Sequence, residues 1–381
     1  MNLTSRLNLK LMRVATSALL WMAVTAAVSS CAWLQDVRDE KKGIQLQSLK
    51  APPGYQISVL ATGVPKARHM AMGERGTLFV GSSAGNVYAL SFNGKAVTNQ
   101  RIVIRGLTDP SGVAFHEGAL YAADRTRIVR LEKIEERLDN PGQPSTVIDG
   151  LPDKARHGAR ALGFGPDGKL YVSVGAPCNT CEAMNDEYGI ILRSNADGSD
   201  KEVFARGIRN SVGFDWHPQT QELWFTENGQ DELGPDRPND ELNRVSGVGE
   251  NFGFPYCHDG SIPDPKFGSM RDCAEFTAPQ TGLGAHTAAL GMRFHTTTTY
   301  PKSVSALVAR HGSHPPIRVG YDVVQIRIAN EKPERMEPFL SGFLQGRSYW
   351  GRPVDVLVLG DGSVLISDDL NGAIYRVTPA L

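Results

Sequence analysis

One short motif recurs along the chain and constrains its fold more than any other feature. A turn residue and one or two further residues precede a leucine, which is followed by an aromatic residue and usually by a small or β-branched one. Four copies and a weaker fifth are present: Gly76–Val80, Gly118–Ala122, Gly168–Val172, Gln221–Phe225 and Gly362–Ile366. The leucines of the first four copies lie 42, 50 and 53 residues apart. This spacing is typical of one four-stranded propeller blade with loop insertions.

The segments around each copy have the pattern of β-hairpins. An alternating stretch precedes the turn, as in residues 161–164 and 212–216, and a further strand often follows the motif, as in residues 86–90. Only Ile128–Leu138 has helical character, whereas a TIM barrel or a Rossmann fold needs many helices. Six blades of about 50 residues occupy roughly 300 residues, which this chain of 381 residues can supply. The sequence therefore predicts an all-β fold, a six-bladed β-propeller.

The overall composition agrees with this class and excludes one kind of partner. The chain contains 40 glycines and 23 prolines, as expected of a fold rich in turns. Its net charge is −1, so it has no basic field with which to bind a phosphate backbone. We therefore expect no nucleic-acid partner.

The N-terminus has the organisation of a secretion signal. Basic residues at Arg6, Lys10 and Arg13 precede an apolar segment of 15 residues, Val14–Val28. That segment is too short for a comfortable membrane span and matches the apolar region of a signal peptide. The sequence thus predicts an exported protein with a signal peptide over residues 1–30.

The end of this signal resembles a bacterial lipobox. Val28-Ser29-Ser30 leads directly to Cys31, which predicts cleavage before Cys31 and lipid attachment to its thiol. Ala32 in the next position favours sorting to the outer membrane, and hence a location on its periplasmic face or in the periplasm. An ordinary signal peptide with an incidental cysteine and an uncleaved anchor are the alternatives. Residues 31–50 are expected to form a tether, and residues 51–381 the propeller.

Four cysteines remain after Cys31: Cys178, Cys181, Cys257 and Cys273. In an exported chain they suggest two disulfides, for which three pairings exist. Cys178 and Cys181 could instead form a redox or metal pair, but no second CxxC completes a zinc site. We favour the two local bridges, Cys178–Cys181 and Cys257–Cys273.

Polar residues next to the repeats are the candidates for chemistry, because propellers place their sites where loops meet on the central axis. His157 precedes the third copy and could act as a general base near neutral pH. Arg209 and Asn210 precede the fourth copy and offer donors for a planar anion. The alternatives are a structural loop histidine for the first, and a salt bridge with an Asx-turn for the second.

Two further loops complete the candidate set. Glu227-Asn228-Gly229-Gln230, followed by an acidic stretch at 240–243, could present carbonyl oxygens to calcium, although a solvated acidic loop has the same composition. Arg352 enters the last copy and is expected at the same axial end as His157. Nearby candidates with less definite placement are Arg310, His311, Arg318 and Arg347.

In combination these motifs resemble the soluble pyrroloquinoline quinone (PQQ)-dependent sugar dehydrogenases, the family that includes soluble glucose dehydrogenase and L-sorbosone dehydrogenase-like proteins. The resemblance covers about residues 51–379. The stretches that carry it, in chain order, are His157–Gly175, Arg209–Pro218, Asp240–Asn243, Gly253–Cys257, His311–Ser313 and Gly351–Val354. The family fold is a six-bladed propeller, in agreement with the repeats.

The resemblance implies a role for each matching residue. His157 corresponds to the base that takes a hydroxyl proton of the sugar while a hydride moves to the quinone. Arg209 and Asn210 correspond to residues that bind quinone and carboxylate oxygens of the cofactor. Arg352 corresponds to an arginine that pairs with a carboxylate of the cofactor. Arg310 lies near the place where the family has a lysine, for which it would substitute. Gly229 and Gln230 correspond to the loop whose carbonyls hold the calcium ion on the cofactor.

Besides the missing lysine, the chain departs from the glucose enzyme at three places. Val212 stands where a glutamine is often found, Arg156 stands where an acidic residue precedes the base, and His314-Pro315-Pro316 replaces a common Trp-Asn-Arg. These changes resemble the sorbosone-type branch more than the glucose enzyme.

The resemblance therefore implies oxidation of an aldose or related sugar aldehyde, with a quinone or small redox carrier as external electron acceptor. A calcium-dependent lactonase, with Glu227, Asn228 and Asn210 on the metal, is a second hypothesis. A non-catalytic binding propeller tethered to the cell envelope is a third, because one fold serves both enzymes and binders.

Overall fold

The computed structural model describes residues 43–93, 96–182, 186–296 and 304–380. The predicted signal peptide and the predicted lipidation site Cys31 lie outside the described residues. No helix in the described part of the chain is both long enough and apolar enough to cross a membrane.

Strands dominate the described residues, and they form six sheets of four main strands. The first strand, β1 (Tyr55–Ala61), belongs to the last of these sheets. The first sheet contains β2 (Ala67–Met72), β3 (Leu78–Ser82), β4 (Asn86–Phe92) and β5 (Val97–Arg105). The second contains β6 (Val113–His116), β7 (Ala119–Asp124), β8 (Arg127–Leu131) and β9 (Ser145–Ile148). The third contains β10 (Leu162–Phe164), β11 (Leu170–Val174), β12 (Ile190–Ser194) and β13 (Glu202–Arg206).

The second half of the chain continues the pattern with short additions. The short strands β17 (Glu250–Asn251), β18 (Cys257–His258) and β19 (Ile262–Pro263) lie in the long connection between residues 245 and 281. The fourth sheet contains β14 (Gly213–Trp216), β15 (Leu223–Glu227), β16 (Asn239–Val245) and β20 (Thr281–Ala285). The fifth contains β21 (Ala289–Thr296), β22 (Val304–Arg310), β23 (Asp322–Ala329) and β24 (Lys332–Leu340). A small hairpin, β25 (Leu344–Gln345) and β26 (Ser348–Tyr349), precedes the strands of the sixth sheet, β27 (Pro353–Val358), β28 (Val364–Asp368) and β29 (Ala373–Pro379).

The sixth sheet closes the ring. Its order is β1-β29-β28-β27, so the first strand of the chain pairs antiparallel with the last, with Tyr55 opposite Pro379 and Val59 opposite Tyr375. The first strands of neighbouring sheets contact one another around most of the ring. On the axis, the His69 ring joins the first blade to the fourth, because its Nε2 lies 2.6 Å from the Val212 carbonyl oxygen. The fold is a six-bladed β-propeller, which confirms the sequence prediction.

The repeated motif marks the second strand of a blade. Leu78, Leu120, Leu170 and Leu223 begin or lie within β3, β7, β11 and β15, and each is at most 1% exposed. Such burial between stacked sheets explains why a leucine recurs at this position. The fifth blade has Leu307-Val308 in β22 instead of a leucine followed by an aromatic residue. That blade therefore left no copy of the motif in the sequence.

The expected helix at Ile128–Leu138 is wrong. The segment forms β8 and then a single 3₁₀ turn, Ile134–Glu136. Ile128, Val129 and Leu131 are all at most 1% exposed, because β8 is an inner strand of its sheet between β7 and β9. A strand buried on both faces loses the alternation that would have identified it.

Both favoured disulfides are present, Cys178–Cys181 and Cys257–Cys273. Two further 3₁₀ turns cover Cys273–Glu275 and Leu46–Ser48. The second of these lies in the predicted tether, where Leu46 packs against the propeller core and Lys50 forms a β-bridge with Ser341. Residues 43–50 therefore contact the propeller.

Candidate active site

A cavity of about 580 Å³ opens where loops of the third, fourth and fifth blades meet. Its volume is within the range of small-molecule sites. The residues that lead into β10 and β14 and the loops between β15 and β16, β20 and β21, and β22 and β23 line it. Of the predicted site residues, this arrangement brings His157, Arg209, Asn210 and Gly229 together in one lining. The departures Arg156 and His314–Pro316 line the same cavity.

The His157 imidazole is held in a defined tautomer. Its Nδ1 lies 2.8 Å from the Ala176 carbonyl oxygen, which can only accept, so Nδ1 carries the hydrogen and Nε2 has its lone pair available. Burial lowers the pKa of His157 to about 4, and the nearby Arg209 and Arg156 cations add to this. His157 also has a left-handed backbone conformation, with φ of 52°. A strained loop thus presents a neutral imidazole to the cavity.

The Arg209 guanidinium is almost fully buried, with 4% of its side chain exposed. Its Nε donates to the Asn179 carbonyl oxygen at 2.9 Å, and its Nη1 donates to the Asn228 carbonyl oxygen at 3.1 Å. Its Nη2 lies 3.0 Å from an Asp231 carboxylate oxygen. Burial lowers the pKa of Arg209, but an arginine keeps its charge under all ordinary conditions. Arg209 therefore supplies a fixed positive charge at the cavity wall.

Asn210 presents an unsatisfied acceptor. Its Nδ2 donates to the Asn228 side-chain oxygen at 3.2 Å. Its own Oδ1 is buried and has no hydrogen-bond partner among the described residues. A buried polar atom without a partner is costly, so this oxygen is suited to a ligand in the cavity.

The Gly229 loop offers carbonyl oxygens. The Gly229 amide donates to Asp240 at 2.9 Å, and a Cβ at Gly229 would lie 2.9 Å from the Asn239 carbonyl oxygen, so the close approach requires glycine. In the described part of the chain, no backbone amide donates to the Gly229 or the Gln230 carbonyl oxygen. No group of three or more His, Cys, Asp or Glu side chains among the described residues could hold a metal ion. A cation here would depend on carbonyl oxygens.

Three predicted site residues do not line the cavity. Gln230 is 3% exposed, and its side-chain oxygen accepts from the Glu232 amide at 2.6 Å. Arg310 forms a two-pronged ion pair with Asp322, at 2.8 and 2.6 Å. Arg352 lies one step behind the lining: its guanidinium donates to the carbonyl oxygens of residues 311 and 312, at 3.3 and 2.7 Å.

The structure adds three residues that sequence reasoning missed: Asn179, Asp231 and His286. His286 lines the cavity with φ of 59°, and its Nε2 donates to the Gly234 carbonyl oxygen at 2.7 Å. Asp231 and Asn179 both contact Arg209. Only Asn179 had a local signal, its place between the cysteines of the CxxC motif.

Glu227 lies beneath this lining. One carboxylate oxygen accepts from the Arg209 amide, and the other from Asn243 Nδ2 at 3.4 Å. Burial and the neighbouring Glu241 carboxylate raise the pKa of Glu227 well above its usual range. A buried carboxyl group in this state is not presented to the cavity as a metal ligand.

The fold and the cavity define a class of protein: a six-bladed propeller in which a pocket between blade loops combines a neutral histidine, a buried arginine and a carbonyl-bearing loop. Residues 49–380 match the TrAA12-like family. The chain belongs to that family.

Three similar proteins illustrate the relationship. An uncharacterised protein of Borreliella burgdorferi is 30% identical over 348 residues, which cover 87% of this chain and 90% of that protein. The iodide structure of a Trichoderma reesei carbohydrate-active enzyme of family AA12 has a TM-score of 0.76 and 21% identity, covering 89% of this chain and 100% of that one. The holo PQQ domain of pyranose dehydrogenase from Coprinopsis cinerea has a TM-score of 0.75 and 18% identity, covering 89% and 98%. The resemblance to PQQ-dependent sugar dehydrogenases is confirmed at the level of the family.

Proposed function

We propose that this protein is a PQQ- and calcium-dependent dehydrogenase that oxidises an aldose or a related, sorbosone-like sugar aldehyde. The observation that carries the proposal is the convergence of His157, Arg209 and Asn210 on one cavity. Family membership and the PQQ domain of the Coprinopsis cinerea enzyme support it.

The cavity fits the group that the family implies. Its volume is about 580 Å³, Arg209 provides a buried positive charge for an anion, and Asn210 Oδ1 provides a buried acceptor without a partner. The Gly229 carbonyl in the lining, with the carbonyl of the adjacent Gln230 behind it, would hold calcium, which prefers oxygen ligands. PQQ, when bound, supplies the two-electron redox chemistry of the reaction.

The role of His157 follows from its tautomer. Nδ1 is committed to the Ala176 carbonyl oxygen, so Nε2 is the atom that takes the proton from the substrate hydroxyl. The imidazolium that results lies near Asp231, whose carboxylate opposes the effect of Arg209 on the pKa of His157. The electrons leave to an external acceptor, a quinone or a small redox carrier.

Titration of purified residues 32–381 with PQQ, with and without calcium, tests the proposal. We expect saturable binding, followed by a loss of the absorbance of an artificial dye when aldoses or sugar aldehydes are added. His157→Gln should retain PQQ binding and lose turnover. Asn195→Gln, a change between β12 and β13 and outside the cavity lining, should retain both binding and turnover. Absence of binding at micromolar PQQ would overturn the proposal.

The lactonase hypothesis has less support, because Glu227 is hydrogen bonded below the cavity and the hypothesis assigns no role to His157. Hydrolysis of a lactone without an electron acceptor would favour it. A binding propeller would be favoured by sugar binding without either reaction.

The proposed location is the periplasmic face of the outer membrane, with Cys31 as the lipid anchor. The signal-like N-terminus and the lipobox-like end support this proposal. In a bacterial host, Cys31→Ser should move the protein from the membrane fraction to the soluble periplasmic fraction. An unchanged distribution would contradict the anchor.

A further inference from the structure

The loop that contains the Cys178–Cys181 disulfide reaches the buried Arg209 guanidinium through Asn179. This side chain accepts from Arg209 Nη2 at 2.7 Å, and the Asn179 carbonyl accepts from Arg209 Nε at 2.9 Å. Asn179 therefore provides two of the contacts that orient the buried guanidinium. Charge-assisted hydrogen bonds of this kind are among the stronger ones in proteins.

Asn179 also reaches the loop that carries the candidate calcium ligands. Its Oδ1 accepts from the Asp231 amide at 3.1 Å, and its Nδ2 donates to the Gln230 side-chain oxygen at 3.3 Å. One residue thus links Arg209, at the entrance to β14, with the loop that follows β15. Arg209 follows Asn179 by 30 residues in sequence, and Gln230 follows it by about 50.

The described residues of this loop, 175–182 and 186–189, have no regular secondary structure to hold them in place. Residues 175–189 connect β11 to β12, and residues 178–181 are half-buried without strand or helix. The disulfide joins residues three apart in sequence and closes a small ring around Asn179. Closing a loop covalently removes much of the freedom that the chain would otherwise lose on ordering.

We propose that Asn179, held in place by the Cys178–Cys181 disulfide, is a positioning residue that fixes Arg209 and the Gly229–Asp231 loop in the arrangement that binds the anionic cofactor. The positioning rests on contacts of the ligand-free chain, whereas its consequence for PQQ rests on the proposed function. Arg209 contacts the ligand, and Asn179 acts through Arg209.

The first experiment uses the protein without ligand. Amide exchange of Asp231, followed by NMR, should be about tenfold faster in Asn179→Ala and in the double variant Cys178→Ser/Cys181→Ser, because the acceptor of that amide is lost or loosened. Asn179→Asp keeps the oxygen acceptor and should retain the slow exchange. Unchanged exchange in Asn179→Ala would overturn the inference, whatever the protein binds.

The second experiment is PQQ titration. Asn179→Ala and the Cys178→Ser/Cys181→Ser variant should bind about 10- to 100-fold more weakly, as expected when an arginine loses charge-assisted hydrogen bonds. The matched control is Cys257→Ser/Cys273→Ser, which removes the disulfide away from the cavity and should bind like the parent. Thermal melting of each variant separates positioning from unfolding.

The outcomes distinguish the two proposals. If the parent binds PQQ and both loop variants bind it equally well, the positioning role is wrong. If the parent fails to bind PQQ but Asp231 exchange rises as expected, the proposed function is wrong and the positioning of the Gly229–Asp231 loop by Asn179 stands.

Discussion

The pH response of His157 is the sharpest consequence of the site geometry. Burial disfavours the charged imidazolium, and the Arg209 and Arg156 cations act in the same direction. The Ala176 carbonyl and Asp231 oppose them more weakly, so the pKa falls from 6.5 to about 4. The His157 imidazole is then neutral across the physiological range, as the proposed role of a base requires.

The shift is large enough to measure. At pH 6, a group with a pKa of about 4 is roughly 1% protonated, whereas an ordinary histidine is about three-quarters protonated. Turnover should therefore be flat above about pH 5.5 and fall below it. The unfolded chain binds the proton at higher pH, so the contribution of His157 to folding stability is fully present above pH 6.5 and is lost as the pH falls towards 4.

Imidazole ¹⁵N NMR of the ligand-free protein tests this directly. The His157 signal is identified by its absence in His157→Gln, and it should show hydrogen on Nδ1 and no midpoint above pH 5. Arg209→Gln should raise the midpoint, because it removes a positive charge beside the ring. A midpoint near 6.5 in the parent, or hydrogen on Nε2 at neutral pH, would refute the reasoning.

Three further outcomes are expected. Gly175→Ala would place a Cβ 2.6 Å from His157 Cβ and 3.0 Å from Asn210 Oδ1. Because such overpacking displaces both groups, the Kd for PQQ should rise at least about tenfold in titration. An unchanged Kd would contradict this packing. Arg310→Ala should lower the free energy of unfolding by about 1–3 kcal/mol in denaturant titration, because the partly buried Asp322 is left without its partner, while the Kd for PQQ stays the same. A weaker Kd at unchanged stability would show that Arg310 binds the cofactor. Removal of calcium with a chelator should weaken PQQ binding, and calcium should restore it; indifference to the chelator would argue against a cation on the Gly229 loop.

Much of the propeller could be predicted because burial repeats with the blades. Leu78, Leu120, Leu170 and Leu223 occupy equivalent inter-sheet positions, and equal environments select equal residues. The fifth blade was missed because Leu307-Val308 in β22 fills the buried position without an aromatic residue. Strand β8 was missed because burial on both faces of its sheet removed the alternation of apolar and polar residues.

The site was less predictable because sequence order places a residue near the axis without fixing where its side chain points. His157 and Arg209 line the cavity as expected, but Arg310 turns to Asp322. The sequence did not identify His286 as a site residue, because Gly234, whose carbonyl fixes the His286 ring, lies 52 residues away in the chain. Such long-range contacts leave no periodic pattern in the chain.

The places where this chain departs from the glucose-enzyme pattern are not distributed at random in the fold. Arg156 and His314–Pro316 line the cavity, whereas Val212 belongs to an apolar cluster with Leu290 and Val354. None of these changes alters a β-strand, because all lie in the loops or at the blade entrances that face the axis. A ring of sheets that is stabilised between blades leaves such positions free to vary. Two of the three departures therefore change the wall of the pocket beside His157 and Arg209, so the lining of the pocket, and no strand of the propeller, differs from that pattern.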